Sequence, residues 1–224
     1  MGERITLTTA AGKPFAAWRA APGDARRGGL VVLHAIWGVT PHIRDFCDGL
    51  ADQGYDVIAP SLLDGEDAFP ELNTNFPILD DRLALGLAAG WGDACLDIVQ
   101  AAIDALEPPV YLLGFCFGGS TAWHAAARCD GLAAVACFYG GHIVNHVAET
   151  PRCPTVLHFG RKDETIPPAA VAAIEAAHPD LPSWHYDAGH AFVAPSNYHE
   201  DSARLAMLRT LQHFHRSGGG RGEV

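Results

Sequence analysis

No stretch of this chain is rich in Lys and Arg, none is apolar for the length of a membrane span, and no two cysteines form a CxxC pair. Each absence excludes something. With 15 basic against 26 acidic side chains and a formal charge of -11, the chain lacks the clustered positive charge that a nucleic acid or an anionic membrane surface requires. Without a run of roughly 20 apolar residues there is no candidate spanning helix. The opening Met1-Gly2-Glu3-Arg4-Ile5-Thr6 has no apolar signal core, so a cytoplasmic location is expected. Cys47, Cys95, Cys116, Cys129, Cys137 and Cys153 lie scattered, as reduced thiols do, rather than in a disulfide framework. No linker, internal repeat or low-complexity segment interrupts the chain. Its 224 residues therefore read as one domain over 1–216 with a flexible tail over 217–224, and a monomer is the default expectation. The glycine cluster Gly114 to Gly119 lacks the Lys-Ser/Thr of a P-loop, and no cofactor is expected.

What is present is alternation. Ile5 to Thr9 and Phe15 to Arg19 suggest an antiparallel hairpin at a sheet edge. Gly29–Leu33, Tyr55–Pro60, Val110–Gly114, Leu132–Tyr139 and Pro154–Phe159 are continuous apolar runs of the kind buried parallel strands require. Helical periodicity falls between them, over Pro41–Gln53, Gly92–Leu106, Pro168–Ala177 and Ser202–Phe214, with Ser183–Asp187 as a last short strand. The pattern predicts an α/β domain with a mostly parallel central sheet and helices on both faces. Between Ser61 and Gly90 periodicity is weak up to an Ala- and Leu-rich helix around Arg82 to Ala89, and the segment reads as either a wall over the site or a solvated loop.

The chain is organised around Tyr111-Leu112-Leu113-Gly114-Phe115-Cys116-Phe117-Gly118-Gly119-Ser120, an apolar strand that turns through glycines into a helix. Such a turn presents the side chain at its tip, Cys116, clear of the sheet. It also sets that side chain at a helix N-terminus, where free N–H groups favour a thiolate. A buried structural cysteine is the competing reading. A nucleophile needs a base, and in folds with this elbow the chain order is nucleophile, acid, histidine. Asp163 follows the strand ending at Phe159-Gly160, and His190 lies in the glycine-containing loop after Tyr186. His190 is expected to take the proton of Cys116, and Asp163 to hold the ring, with Glu164 and Asp187 as rival carboxylates. The N–H groups of Phe117 and Ile36 are the natural donors to an oxyanion. His142 and His146 with Cys153 lack a fourth ligand or a known zinc spacing, so no metal is expected.

Four runs in this order resemble the dienelactone hydrolase family of α/β hydrolases: Ile36-Trp37-Gly38-Val39, Gly114-Phe115-Cys116-Phe117-Gly118-Gly119, Phe159-Gly160 with Asp163, and Trp184 to His190. The resemblance spans nearly the whole chain. It implies a single-domain α/β-hydrolase fold and a cysteine-dependent hydrolase of small esters or lactones, working through an acyl-thioester. It also implies Cys116, Asp163 and His190 as triad and Ile36 and Phe117 as oxyanion hole. The alternative is a hydrolase-fold protein that uses Cys116 as a redox or ligand-binding thiol. Two departures matter. Dienelactone hydrolase proper has a Glu before the Ile of the first loop, where this chain has Ala35, so Cys116 is expected to pair directly with His190. It also has a substrate-holding Arg four residues beyond the catalytic His, where this chain has Ala194; Arg82 is the candidate for a second such arginine. Loss of the clamp removes charge-assisted contacts of about 2 kcal/mol each. A neutral ester, lactone or thioester is then at least as suitable as an anionic dienelactone. Trp37, Phe115, Phe117, Tyr139 and Phe192 are expected to make a mostly apolar pocket.

Overall fold

A strand with no polar face is stable only when both its sides are covered, and that requirement sets the architecture. In the computed structural model, which describes residues 1–23, 25–63 and 68–218, every residue of β3 (Gly28–Leu33), β4 (Tyr55–Pro60) and β5 (Val110–Phe115) is buried. With β1 (Glu3–Thr8), β2 (Pro14–Ala20), β6 (Leu132–Phe138), β7 (Thr155–Gly160) and β8 (Ser183–Tyr186) they form one eight-stranded sheet in the order β1-β2-β4-β3-β5-β6-β7-β8. β1 and β2 are the expected antiparallel edge hairpin, β2 runs antiparallel to β4, and every other pairing is parallel. From β3 the chain passes to β4 on one side and returns to β5 on the other. The crevice beyond the carboxyl ends of β3 and β5 is therefore the switch point at which such sheets bind ligands.

The helices follow from capping and periodicity. Helix α1 (Pro41–Ala51) begins with Pro41 in its first turn and the Thr40 hydroxyl accepting from the N–H of Ile43. α2 (Leu79–Ala88) belongs to the irregular stretch after β4, of which residues 64–67 lie outside the described part. α4 (Phe117–Arg128) is buried from Phe117 to Ala126 and runs through the centre of the molecule. α5 (Pro168–Ala177) matches its expected span, and α6 (Glu200–Ser217) is longer than the expected Ser202–Phe214 at both ends. Ser217, assigned by the sequence to the tail, is helical; residues 219–224 lie outside the described part.

One helix differs in kind. Instead of a single helix over Gly92–Leu106, a kinked 3₁₀ stretch covers Gly90–Cys95, and α3 starts only at Leu96 and ends at Asp104. Trp91 and Gly92 have φ of 50° and 107°, which no helix tolerates. The cause is close approach. A Cβ at Gly92 would stand 2.1 Å from Oγ1 of Thr121 in α4, so the chain must unwind there to pass the central helix.

Candidate active site

Cys116 is the one residue between β5 and α4, with φ 55° and ψ -110°. A left-handed φ strains any residue bearing a Cβ, and here the surroundings hold it. The Cys116 N–H donates to the Phe138 carbonyl at 2.9 Å, the Gly118 N–H to that of His34 at 3.1 Å, and the Ser120 N–H to that of Cys116 at 3.0 Å. The turn closes because Gly114 has no side chain, since a Cβ there would lie 2.0 Å from the Gly118 carbonyl oxygen. Cys116 is half-buried, while Cys47, Cys95, Cys129 and Cys137 are fully buried. Burial pushes the Cys129 thiol up to about 11 and those of Cys47 and Cys137 higher still, which leaves these three inert.

The loops after β7 and β8 bring the other groups to the same edge. Nδ1 of His190 lies 2.7 Å from Oδ2 of Asp163, and Cys116 stands near enough to favour the charged form of the ring. The Asp163 side chain is 1% exposed. Its other oxygen, Oδ1, accepts from the Thr165 hydroxyl at 2.7 Å and from the N–H groups of Thr165 and Ile166 at 2.8 and 3.2 Å. Three donors on one oxygen leave the second for the imidazole. Burial works against a charged ring at His190, but the bonds to Asp163 and Cys116 outweigh it and raise its pKa from 6.5 to about 10. Burial likewise opposes charge on Asp163, yet the hydrogen bonds from His190 and Thr165 hold its carboxyl below the usual range. The rival carboxylates are elsewhere: Glu164 is exposed, and Asp187 pairs with Lys162 at 2.9 Å.

Thr165 escaped the reading of the sequence. Its hydroxyl bonds to Asp163 and also lies 2.9 Å from Nδ1 of His190. The available signal was local, because an Asp followed two residues later by an N–H donor is the pattern of an Asx turn.

Ile36 lies in the loop after β3 and lines the cavity over Cys116. Phe117 is the first residue of α4, so its N–H has no acceptor within the helix. Arg82 does not line the cavity. It is buried, and its Nε donates to the Ile36 carbonyl at 2.6 Å, which ties the side chain to the loop after β3 rather than to the opening. The cavity has a volume of about 730 Å³ and is lined by Trp37, Phe115 and Tyr139, with Ala35 and Ala194 at the positions flagged in the sequence. Phe192 is also not in the lining. It is fully buried behind Tyr139, ring centroids 5.3 Å apart, because the turn after His190 folds it into the core. Phe117 likewise turns its ring inward, 5.9 Å from that of Trp91. Leu79 and Leu83 of α2 contribute to the lining, so the irregular segment is in part a wall.

Among the described residues, His124, His146 and Glu149 are the one group whose ligand atoms lie close enough to share a metal ion. Arg128 already reaches them, its Nη2 lying 2.9 Å from His124 and 3.3 Å from Glu149. The cluster thus has a resident cation. His142 is not part of it and stacks on Trp91 in the cavity wall.

A sheet in this strand order, with a strained residue at the bend after β5 and a histidine returning from the loop beyond β8, defines the α/β hydrolases. Comparison narrows the class. The model of the dienelactone hydrolase family matches residues 15–218, and the chain belongs to that family. It is 31% identical over 240 residues to a provisionally named carboxymethylenebutenolidase of Salmonella typhimurium, covering 97% of this chain and 88% of that one. It is 27% identical to carboxymethylenebutenolidase 1 of Cupriavidus pinatubonensis, covering 95% and 96%. A crystal structure of a provisionally assigned dienelactone hydrolase from Klebsiella pneumoniae superposes with a TM-score of 0.79 at 26% identity, covering 96% and 99%. The chain is accordingly an enzyme of the carboxylic ester hydrolase kind. Among its described residues no helix is long and apolar enough to cross a membrane.

Proposed function

We propose that the protein hydrolyses small esters or lactones by nucleophilic catalysis at Cys116. The observation that carries this reading is the continuous line from Asp163 through His190 to Cys116, with the carboxylate 2.7 Å from the ring. A histidine with its pKa raised to about 10 is charged at neutral pH and holds a proton ready for the leaving group. In the proposed sequence Sγ attacks the carbonyl carbon, and the electron pair displaced onto oxygen is held by the N–H groups of Ile36 and Phe117. The tetrahedral intermediate collapses, the C–O bond breaks, and the alkoxide takes the proton of His190, leaving an acyl-thioester. A water then gives a proton to His190 and attacks the thioester carbonyl. The C–S bond breaks, the carboxylic acid leaves, and the sulfur of Cys116 and the proton on His190 are restored. Asp163 keeps the proton of the ring on Nδ1 and faces the positive charge throughout.

The same family reading suggests lactones of the carboxymethylenebutenolidase kind as one substrate group. A thiol kept only for redox or ligand binding would have no use for a buried carboxylate aimed at its histidine. The test is turnover of p-nitrophenyl esters and simple lactones by wild type and Cys116→Ala, with intact-mass detection of an acyl adduct. The variant is expected to lose at least about 10³-fold in kcat/KM and to form no adduct. Activity within about tenfold of wild type would overturn the assignment.

A further inference from the structure

We propose that the cavity over Cys116 is built for uncharged esters or lactones with an aromatic acyl part, and that the stacked rings of Trp91 and His142 are the wall that selects them. This rests on the hydrolase reading of the same site. The first ground is charge. Among the described residues lining the cavity there is no Asp, Glu, Lys or Arg. The imidazoles of His42 and His142 both line it, and burial holds both below their usual pKa, so neither supplies a positive charge at neutral pH. The ring of His190 is engaged with Asp163 and Cys116, and Arg82 is turned to the Ile36 carbonyl, outside the lining. A carboxylate entering this space would lose its water and meet only the His190 ring, whose charge is already matched by Asp163. The net charge of -11 adds a long-range bias against anions.

The second ground is shape. The Trp91 and His142 rings lie 3.8 Å apart and 10° from parallel, and both line the cavity. Trp91 is fixed before any ligand arrives. Its backbone is held at φ 50° between two positive-φ glycines, and its ring packs against Phe117. The Asn145 side-chain amide bonds to Nδ1 of His142 at 3.2 Å, and the His142 N–H donates to the Ser120 hydroxyl, also at 3.2 Å. A flat wall held on several sides costs little ordering when a planar group is laid near it. Trp37, Phe115 and Tyr139 add further aromatic surface. The volume of about 730 Å³ suits a ligand well beyond a bare five-membered lactone.

The test keeps the leaving group constant. p-Nitrophenyl benzoate is compared with its 4-carboxybenzoate counterpart and with p-nitrophenyl acetate, using wild type, Trp91→Ala and Trp91→Phe. Wild type is expected to favour the neutral benzoate over the anionic one by at least tenfold in kcat/KM. Trp91→Ala is expected to lower the benzoate-to-acetate ratio at least tenfold, and Trp91→Phe to restore most of it. Equal turnover of the charged and uncharged benzoates, or an unchanged ratio in Trp91→Ala, overturns the proposal. Binding of acetophenone against 4-acetylbenzoate to Cys116→Ala protein, followed by tryptophan fluorescence, reads the same preference without chemistry. A tenfold preference for the neutral ketone there, with no ester turned over by wild type, would uphold the cavity assignment and defeat the hydrolase reading. Equal binding of the two ketones would overturn the cavity assignment.

Discussion

Replacing Asp163 by Asn removes one charge and one acceptor while keeping the size of the side chain, so its consequences can be worked from the geometry. The His190 ring has a pKa of about 10 against an ordinary 6.5. At about 1.4 kcal/mol for each tenfold step in proton affinity, that is on the order of 5 kcal/mol favouring the charged ring. Asp163 and Cys116 share this, against the opposing effect of burial. An opposite charge at hydrogen-bond distance is worth about one to three tenfold steps. Asp163→Asn should therefore lower the proton affinity of the ring by about 10- to 1000-fold. The amide also presents a donor where the carboxylate only accepts, which favours the wrong tautomer of the imidazole. Together these should reduce kcat/KM on a neutral ester by about 10²- to 10⁴-fold. The assay has two parts, an NMR titration of the His190 ring in both proteins and the pH profile of kcat/KM. In the variant the ring should titrate at lower pH, and the alkaline limb of the profile should move with it. An unchanged ring titration, or activity within about threefold of wild type, would refute the view that the carboxylate sets the charge of the imidazole.

Thr165→Val should shift the same alkaline limb in the same direction but less far, with a loss of about tenfold in kcat/KM and partial recovery in Thr165→Ser, because one charge-assisted bond to Oδ1 is removed while the two N–H donors remain. A loss in Thr165→Val without any change in the pH profile would mean the residue acts only on packing. Stability should also depend on pH, with opposite signs on the two sides of neutrality. His190, raised from 6.5 to about 10, contributes stability that is complete below 6.5 and is lost as pH rises through 10. His34 and His158 are buried and lowered to about 4 and about 3. They resist protonation in the fold, so stability falls as pH drops below 6.5 and the unfolded chain takes up those protons. Urea titrations should show a maximum near pH 6.5 to 7, and His190→Ala should flatten the alkaline slope; an equally steep slope in that variant would refute the assignment.

The sheet was legible because its apolar runs are long and have one structural meaning, and the elbow because Gly114 and Gly118 bracket Cys116 in an otherwise apolar strand-to-helix junction. Asp163 and Glu164 could not be separated by spacing, since both follow the same strand end. The choice is made by the direction of a side chain, which three donors on Oδ1 fix. The apolar period runs straight through Gly92 and gives no warning of the kink, whose cause is Thr121, a residue far along the chain. The same holds for Arg82. Nothing local indicates that its guanidinium meets a carbonyl 46 residues earlier rather than a substrate. Thr165 was overlooked because a hydroxyl acquires a role only through its neighbours.

That arginine has a mechanical consequence. α2 contributes Leu79 and Leu83 to the cavity lining and Ile36 lines it from the loop after β3, and the bond of 2.6 Å between Arg82 and the Ile36 carbonyl ties the helix to that loop. In the proposed reaction, displacing α2 would disturb the loop whose Ile36 N–H faces the oxyanion. On the proposed reading, a substitution that loosens α2 should therefore be felt first as poorer chemistry rather than as freer access.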